Sequence, residues 1–228
     1  MVRATGLCRS FGKSRFLDNV SLEVQAGRAL AVVGENGAGK TTLLKVLATA
    51  SRPDAGELII GGVDALKNPA AARAMIGYVP QGIALMQELT VRDNLRYWMK
   101  PGDEAAYRWT LEITALADVE KKKVSKLSGG MQRRLNIGAS LVTRPRVLIL
   151  DEPLAGVDAG NRARIMAVLK QLKESGTAII FTSHYIDELD ILADGMLALK
   201  NGVVTYSGGI SFPQESGGLA GAIKRYTA

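Results

Sequence analysis

The run Gly34-Glu35-Asn36-Gly37-Ala38-Gly39-Lys40-Thr41 sets three glycines ahead of a lysine and a hydroxyl side chain. That spacing lets consecutive backbone N–H groups turn toward phosphate oxygens. Lys40 suits the β- and γ-phosphates of a nucleotide, and the Thr41 hydroxyl suits a magnesium ion. Far downstream, Asp151-Glu152 closes the apolar run Val147-Leu148-Ile149-Leu150. A buried strand ending this way offers one carboxylate, Asp151, to magnesium and a second, Glu152, to orient and deprotonate an attacking water. Adjacent acids at a strand end can instead cap the next helix, but their pairing with a phosphate loop favours the chemical reading. Together the two segments imply hydrolysis of a nucleoside triphosphate.

A third segment, Leu127-Ser128-Gly129-Gly130-Met131-Gln132, sets a good helix N-cap before two glycines that expose backbone donors. It reads as a second anion site. One nucleotide occupies one phosphate loop, so two phosphate-facing surfaces in one chain suggest a site that closes when two chains meet.

The elements that must position these residues are visible in the hydrophobic pattern. Val20, Leu22 and Val24 alternate as in a half-buried strand, and Ala29-Leu30-Ala31-Val32-Val33 is continuous as in a buried one. The glycine loop follows, and a helix is predicted from Gly39 to about Ala50, stopped by Arg52-Pro53-Asp54-Ala55-Gly56. Buried strands recur over Val147 to Leu150 and Ala178 to Phe181. Between them runs a helix with apolar face Ile165, Val168, Leu169 and Leu172, ended by Gly176. This alternation predicts an α/β fold with a mainly parallel sheet and crossover helices. Gly61-Gly62 and Asn201-Gly202 mark tight hairpins, so an antiparallel β subdomain should accompany the core. Between Val91 and Gly130 strand signals are missing, and Trp109, Ile113 and Leu116 share a helical face. A helical subdomain is expected over about 84–140, with Trp98 and Trp109 both in its core.

With 228 residues and 47% hydrophobic content the chain can bury a sizeable core in one domain. No apolar run approaches the ~18 residues of a membrane span, and the first residues lack a signal peptide's apolar stretch, so a soluble, cytoplasmic chain is expected. Cys8 is the single cysteine and reads as a small apolar filler. The net charge of +7 comes from scattered residues. Only Lys121-Lys122-Lys123 forms a run, read as a solvated helix end, and no nucleic-acid partner is expected.

From end to end the chain resembles an ATP-binding cassette, on five motifs in order: Gly34 to Thr42, Gln81 in Tyr78-Val79-Pro80-Gln81, Leu127 to Gln132, Val147 to Pro153, and Thr182-Ser183-His184. The resemblance implies a P-loop NTPase core using ATP and Mg2+. It implies that Gly34, Glu35, Asn36, Gly37, Ala38, Gly39, Lys40, Thr41 and Thr42 bind ATP. Thr41, Gln81 and Asp151 serve the metal, and Glu152, Gln81 and His184 serve catalysis. Phe11 matches the aromatic that stacks on adenine, with Phe16 as the alternative; stacking alone does not select the purine. Two cassettes, copies or homologues, would pair head to tail. Ser128, Gly129, Gly130, Gln132 and Asp158 of one would then meet ATP held by the other. Two departures are Leu154, where the family often has a small hydroxyl residue, and Phe11 in place of the commoner tyrosine.

Met131 to Ile137 and Thr182 to Tyr185 resemble the branch that exports drugs, antibiotics or polysaccharides. The implied partners are separately encoded membrane-spanning permease subunits, with this chain peripheral on the cytoplasmic face. With the chain ending soon after Gly209, the regulatory domain of some importer ATPases is not expected. The alternative is a membrane-independent cassette such as a metal-cluster assembly factor. Gly82-Ile83-Ala84-Leu85-Met86-Gln87 carries three large apolar residues that either dock the permease or pack against the helical subdomain.

Overall fold

The computed structural model describes residues 1–12, 14–213 and 217–227. Strands β1 (Val2–Phe11) and β2 (Ser14–Val24) pair antiparallel, and β3 (Ala29–Val33) leads through the glycine loop into α1 (Lys40–Leu47). A hairpin of β4 (Ala55–Ile60) and β5 (Val63–Asp64) precedes α2 (Pro69–Arg73) and β6 (Ile76–Val79). Then come α3 (Val91–Trp98), α4 (Glu104–Ile113) and α5 (Gly129–Leu141). The chain closes with β7 (Val147–Asp151), α6 (Ala159–Glu174), β8 (Ala178–Thr182), α7 (Ile186–Leu192), β9 (Gly195–Lys200), β10 (Val203–Gly209) and α8 (Gly218–Thr227).

The fold is α/β, with two sheets among the described residues. One is antiparallel in the order β2-β1-β4-β5; the other runs β10-β9-β3-β8-β7-β6 and is parallel except for its edge strand β10. Strict alternation sorts the central strands between two cores. Val147 and Ile149 of β7 and Ile180 of β8 join α1 and the antiparallel sheet, whereas Leu148, Leu150 and Phe181 face α5, α6 and α7. All are almost fully buried, at about 1.5–3 kcal/mol for a large aliphatic or aromatic side chain. That packing fixes the register of the strand ends. Val91, Leu95, Leu111, Leu116, Val124 and Leu135 form a third, smaller core among the helices.

Several local expectations are corrected. Helix α1 ends at Leu47, not near Ala50, because Thr49 adopts a left-handed conformation (φ 56°). The next N–H groups, of Ala50 and Ser51, fold back onto the Lys45 carbonyl. Trp98 is 48% exposed and stands edge-to-face with Tyr97, their centroids 5.0 Å apart. Helix α3 stops there, and Met99 turns into the small core in its place. Trp109 and Ile113 do not share a face with Leu116. They pack toward the sheet, while Leu116 lies past the helix end in the small core. Lys121 to Lys123 form a solvated turn between two single 3-10 turns, with Lys123 bridging Thr90. The Gly61-Gly62 hairpin forms in the antiparallel sheet, but Asn201-Gly202 adds β10 to the parallel one.

Candidate functional site

Sheet order converts distant motifs into neighbours. Along β3, β8, β7 and β6 the loops leaving the C-terminal ends carry, in turn, the glycine loop, His184, Glu152 and Gln81. Open parallel sheets bind ligands at this edge. A cavity of about 400 Å3 opens there, bounded by Asn36, Gly37 and Gly39, by Lys40, Thr41 and Thr42 opening α1, and by Phe16, Gln81 and Glu152.

The glycine loop is held by close main-chain approach. A side chain at Gly34 would meet the Leu199 carbonyl oxygen at 2.5 Å, and one at Gly39 (φ 104°) would collide with the Phe16 carbonyl. Ala38 is buried, and its carbonyl accepts the Gly202 N–H, which ties the loop to the β9–β10 turn. The buried Lys40 ammonium donates to the carbonyls of Gly34 (2.7 Å) and Glu35 (3.0 Å). Burial pushes its pKa down, while the carboxylates of Glu152 and Asp151 pull it back up. Phe16, not Phe11, borders the cavity. Phe11 stands edge-on to Phe16 at 5.3 Å with the Arg9 guanidinium over its ring, and is half exposed.

Below the loop, Asp151 is 1% exposed. Its Oδ1 accepts from the Thr182 hydroxyl at 2.9 Å, and its Oδ2 is buried with no hydrogen-bond partner among the described residues. The Thr182 oxygen also accepts the Glu152 N–H at 2.9 Å. Glu152 itself is left-handed, φ 48°, an uncommon state for a residue with a side chain. Its Oε1 lies 3.0 Å from His184 Nε2. Sequence motifs named Thr182 only as a neighbour of His184; its clamp on both acids follows from the register Asp151↔Thr182.

A second cluster holds the histidine loop. Ser183 donates to Glu188 Oε2 at 2.6 Å and accepts the Tyr185 N–H at 3.0 Å. Arg162 of α6 lies 3.6 Å from Glu188 Oε1 and stacks over Tyr185 at 4.1 Å. Burial pushes the Glu188 carboxyl up, against the Ser183 hydrogen bond and the Arg162 charge. Neither Arg162 nor Glu188 carried a sequence signal, because their spacing reads as ordinary helix surface.

Ser128 caps α5, accepting the Met131 N–H at 3.3 Å, and Gly129 has open space where a side chain would sit. Neither borders the cavity of its own chain. Gln132 is turned inward, its amide donating to the carbonyls of Val124 and Leu127. Asp158 caps α6, accepting from Asn161 N (3.1 Å) and Nδ2 (2.8 Å), and these bonds hold its carboxyl below the usual range. The segment after Gln81 divides. Leu85 packs on the small core, Met86 exchanges hydrogen bonds with Asn94, and Ile83 remains 38% exposed. Beside it runs a groove of about 490 Å3 lined by Tyr78, Pro80, Ala84, Trp98 and Asn136 among others. Among the described residues no helix is long and apolar enough to cross a membrane.

Residues 17–155 match the protein-family model described as ABC transporter. The linearmycin resistance ATP-binding protein LnrL of Bacillus subtilis (strain 168) is 37% identical over 208 residues, 89% of this chain and 67% of that protein. The daunorubicin resistance ATP-binding protein DrrA3 of Streptomyces coeruleorubidus is 39% identical over 213 residues, 91% and 67% respectively. The chain thus spans about two thirds of the length of the curated relatives it matches. Among solved structures, an ATP-binding subunit of an ABC transporter aligns over 97% of this chain and 95% of its own, with TM-score 0.88 and 25% identity. A dimeric post-hydrolysis cassette bound to ADP and Pi shares the fold at 24% identity and TM-score 0.85, over 93% of this chain and all of its own.

Proposed function

The chain belongs to the ABC transporter family and is an ATP-binding cassette ATPase, and from that premise we propose that it powers export of a drug-like compound through separately encoded permease subunits. The observation that carries the reading is the convergence of Lys40, Glu152 and Gln81 on one cavity, with His184 hydrogen-bonded to Glu152. The resistance proteins among its relatives support export. The absence of a spanning helix among the described residues fits a peripheral place on the cytoplasmic membrane face.

In this reading the N–H groups of Gly37 to Thr41 and the Lys40 ammonium grip the phosphates, and the N-terminus of α1 favours their charge. Phe16 or Phe11 offers the adenine a stacking face. The unpartnered Oδ2 of Asp151, the Thr41 hydroxyl and the Gln81 side chain fit a hard cation, and together would hold Mg2+. When bound, that ion supplies neutralisation of phosphate charge. Glu152 accepts the proton of the attacking water, and His184 holds its carboxylate in place. Ser128, Gly129 and Gly130 close the γ-phosphate site of a second cassette, and Asp158 crosses between the two. Gln132 shapes that turn from within. The helical subdomain, about 84–140, carries Ser128, Gly129 and Gly130, and the groove at Trp98, lined from both this subdomain and the sheet core, receives the permease.

Co-purification tests the proposal. Tagged chain recovered from detergent-solubilised native membranes is expected to bring down a protein with about six apolar spans of ~20 residues. Trp98→Asp, at an exposed position, is expected to abolish that capture while leaving basal ATP hydrolysis intact. Recovery of the parental chain free of any such protein would contradict the reading.

A further inference from the structure

Helix α5 begins at the surface with Ser128, Gly129 and Gly130, but one turn later Arg133 is 4% exposed. Its guanidinium spans two loops. Nε donates to the Pro153 carbonyl at 2.8 Å, Nη1 to those of Pro80 (3.2 Å) and Gln81 (2.5 Å), and Nη2 to those of Asp151 (3.3 Å) and Glu152. Asn136, three residues on, holds the same loop from the Gln81 side. It accepts the Ala84 N–H at 3.1 Å and donates to the Gly82 carbonyl at 3.4 Å.

We propose that Arg133 is a positioning residue that ties the partner-facing helix α5 to Glu152 and Gln81 of its own chain, so that contact with a second cassette sets the geometry of the cis carboxylate. The inference rests on the reading of Glu152 as general base. Its physical core is the left-handed backbone of Glu152 (φ 48°), a conformation costing about 1–2 kcal/mol for a residue with a Cβ. The peptide groups on either side are pinned: the N–H by Thr182, the carbonyl by Arg133. Gln81 is held through the same guanidinium, so both residues move with α5 or not at all. Arg133 reaches main-chain oxygens only, at a buried position where burial lowers its pKa and the charges of Asp151 and Glu152 raise it. A fork of five donors fits this task, and a lysine would supply fewer directions.

A double-mutant cycle separates positioning from mere packing. Arg133→Met is expected to lower kcat for MgATP about 10²-fold, the scale of a displaced reacting group, with KM and fluorescent-nucleotide affinity held within about twofold. Arg133→Lys is expected to recover part of the rate. In a Glu152→Gln background the further loss should shrink below about threefold, because the two residues act in series. An equal loss in both backgrounds, or a raised KM at unchanged kcat, would overturn the proposal. Should Arg133→Met fail to fold, the cycle with Arg133→Lys decides on the same criteria. A Glu152→Gln chain that hydrolyses at the parental rate would instead bring down the reading of Glu152 itself, which the single variant reports separately.

Discussion

The Thr182 hydroxyl donates to Asp151 Oδ1 and accepts the Glu152 N–H, both at 2.9 Å, so one oxygen on β8 orders the acid that ends β7 and the one that follows it. Thr182→Val keeps the shape and removes both bonds. Leaving a buried donor and a buried acceptor unpaired costs about 1–3 kcal/mol each, read as a lower urea midpoint. Turnover is expected to fall at least about tenfold, since 1.36 kcal/mol in the barrier suffices for that. Thr182→Ser should restore most of both quantities, and a Thr182→Val chain of parental stability and rate would sink the clamp.

Glu188 supplies a pH signature. Its folded carboxyl titrates above the ordinary value of 4.5 because burial disfavours the charge, partly offset by Ser183 and Arg162. The folded chain therefore binds this proton more tightly than the unfolded one. The resulting contribution is full below pH 4.5 and is lost as pH rises through the raised folded value. Subtracting the thermal midpoint of Glu188→Gln from that of the parental chain isolates this contribution. The difference should decline across that window, and a flat or rising difference contradicts the assignment.

Two inactive chains should complement each other. Lys40→Ala removes the phosphate grip and Ser128→Arg blocks the cap of α5, so each homodimer fails. A mixed dimer keeps one intact composite site, while its other site carries both defects. Mixing is expected to return measurable ATP hydrolysis. Isolated heterodimer without activity would argue against a site shared between chains.

Much of this arrangement was legible in the residues. An alternating apolar pattern exposed β2 and continuous apolar runs exposed β3, β7 and β8, and glycine and acid spacing exposed the loop at Lys40 and the pair Asp151-Glu152. Side-chain spacing within one segment does not report strand order, so the neighbouring of His184, Glu152 and Gln81 rested on resemblance until the sheet was described. Trp98 misled because, three residues after Leu95, it shares the buried stripe, but it is the last residue of α3 and Met99 fills the small core beside it. Arg133, Arg162 and Glu188 were illegible for another reason. A charged residue in a helix is usually solvated; Arg133 is buried by loops far away in sequence, and Glu188 is buried against Ser183 and the half-buried Arg162.

The most direct measurement is steady-state MgATP hydrolysis by Glu152→Gln, with light scattering of the same sample in ATP and magnesium. The account predicts turnover lowered about 10²–10⁴-fold, the worth of a general base, with ATP still bound and the dimer accumulating. Hydrolysis at the parental rate, or a chain that stays monomeric under those conditions, would contradict it.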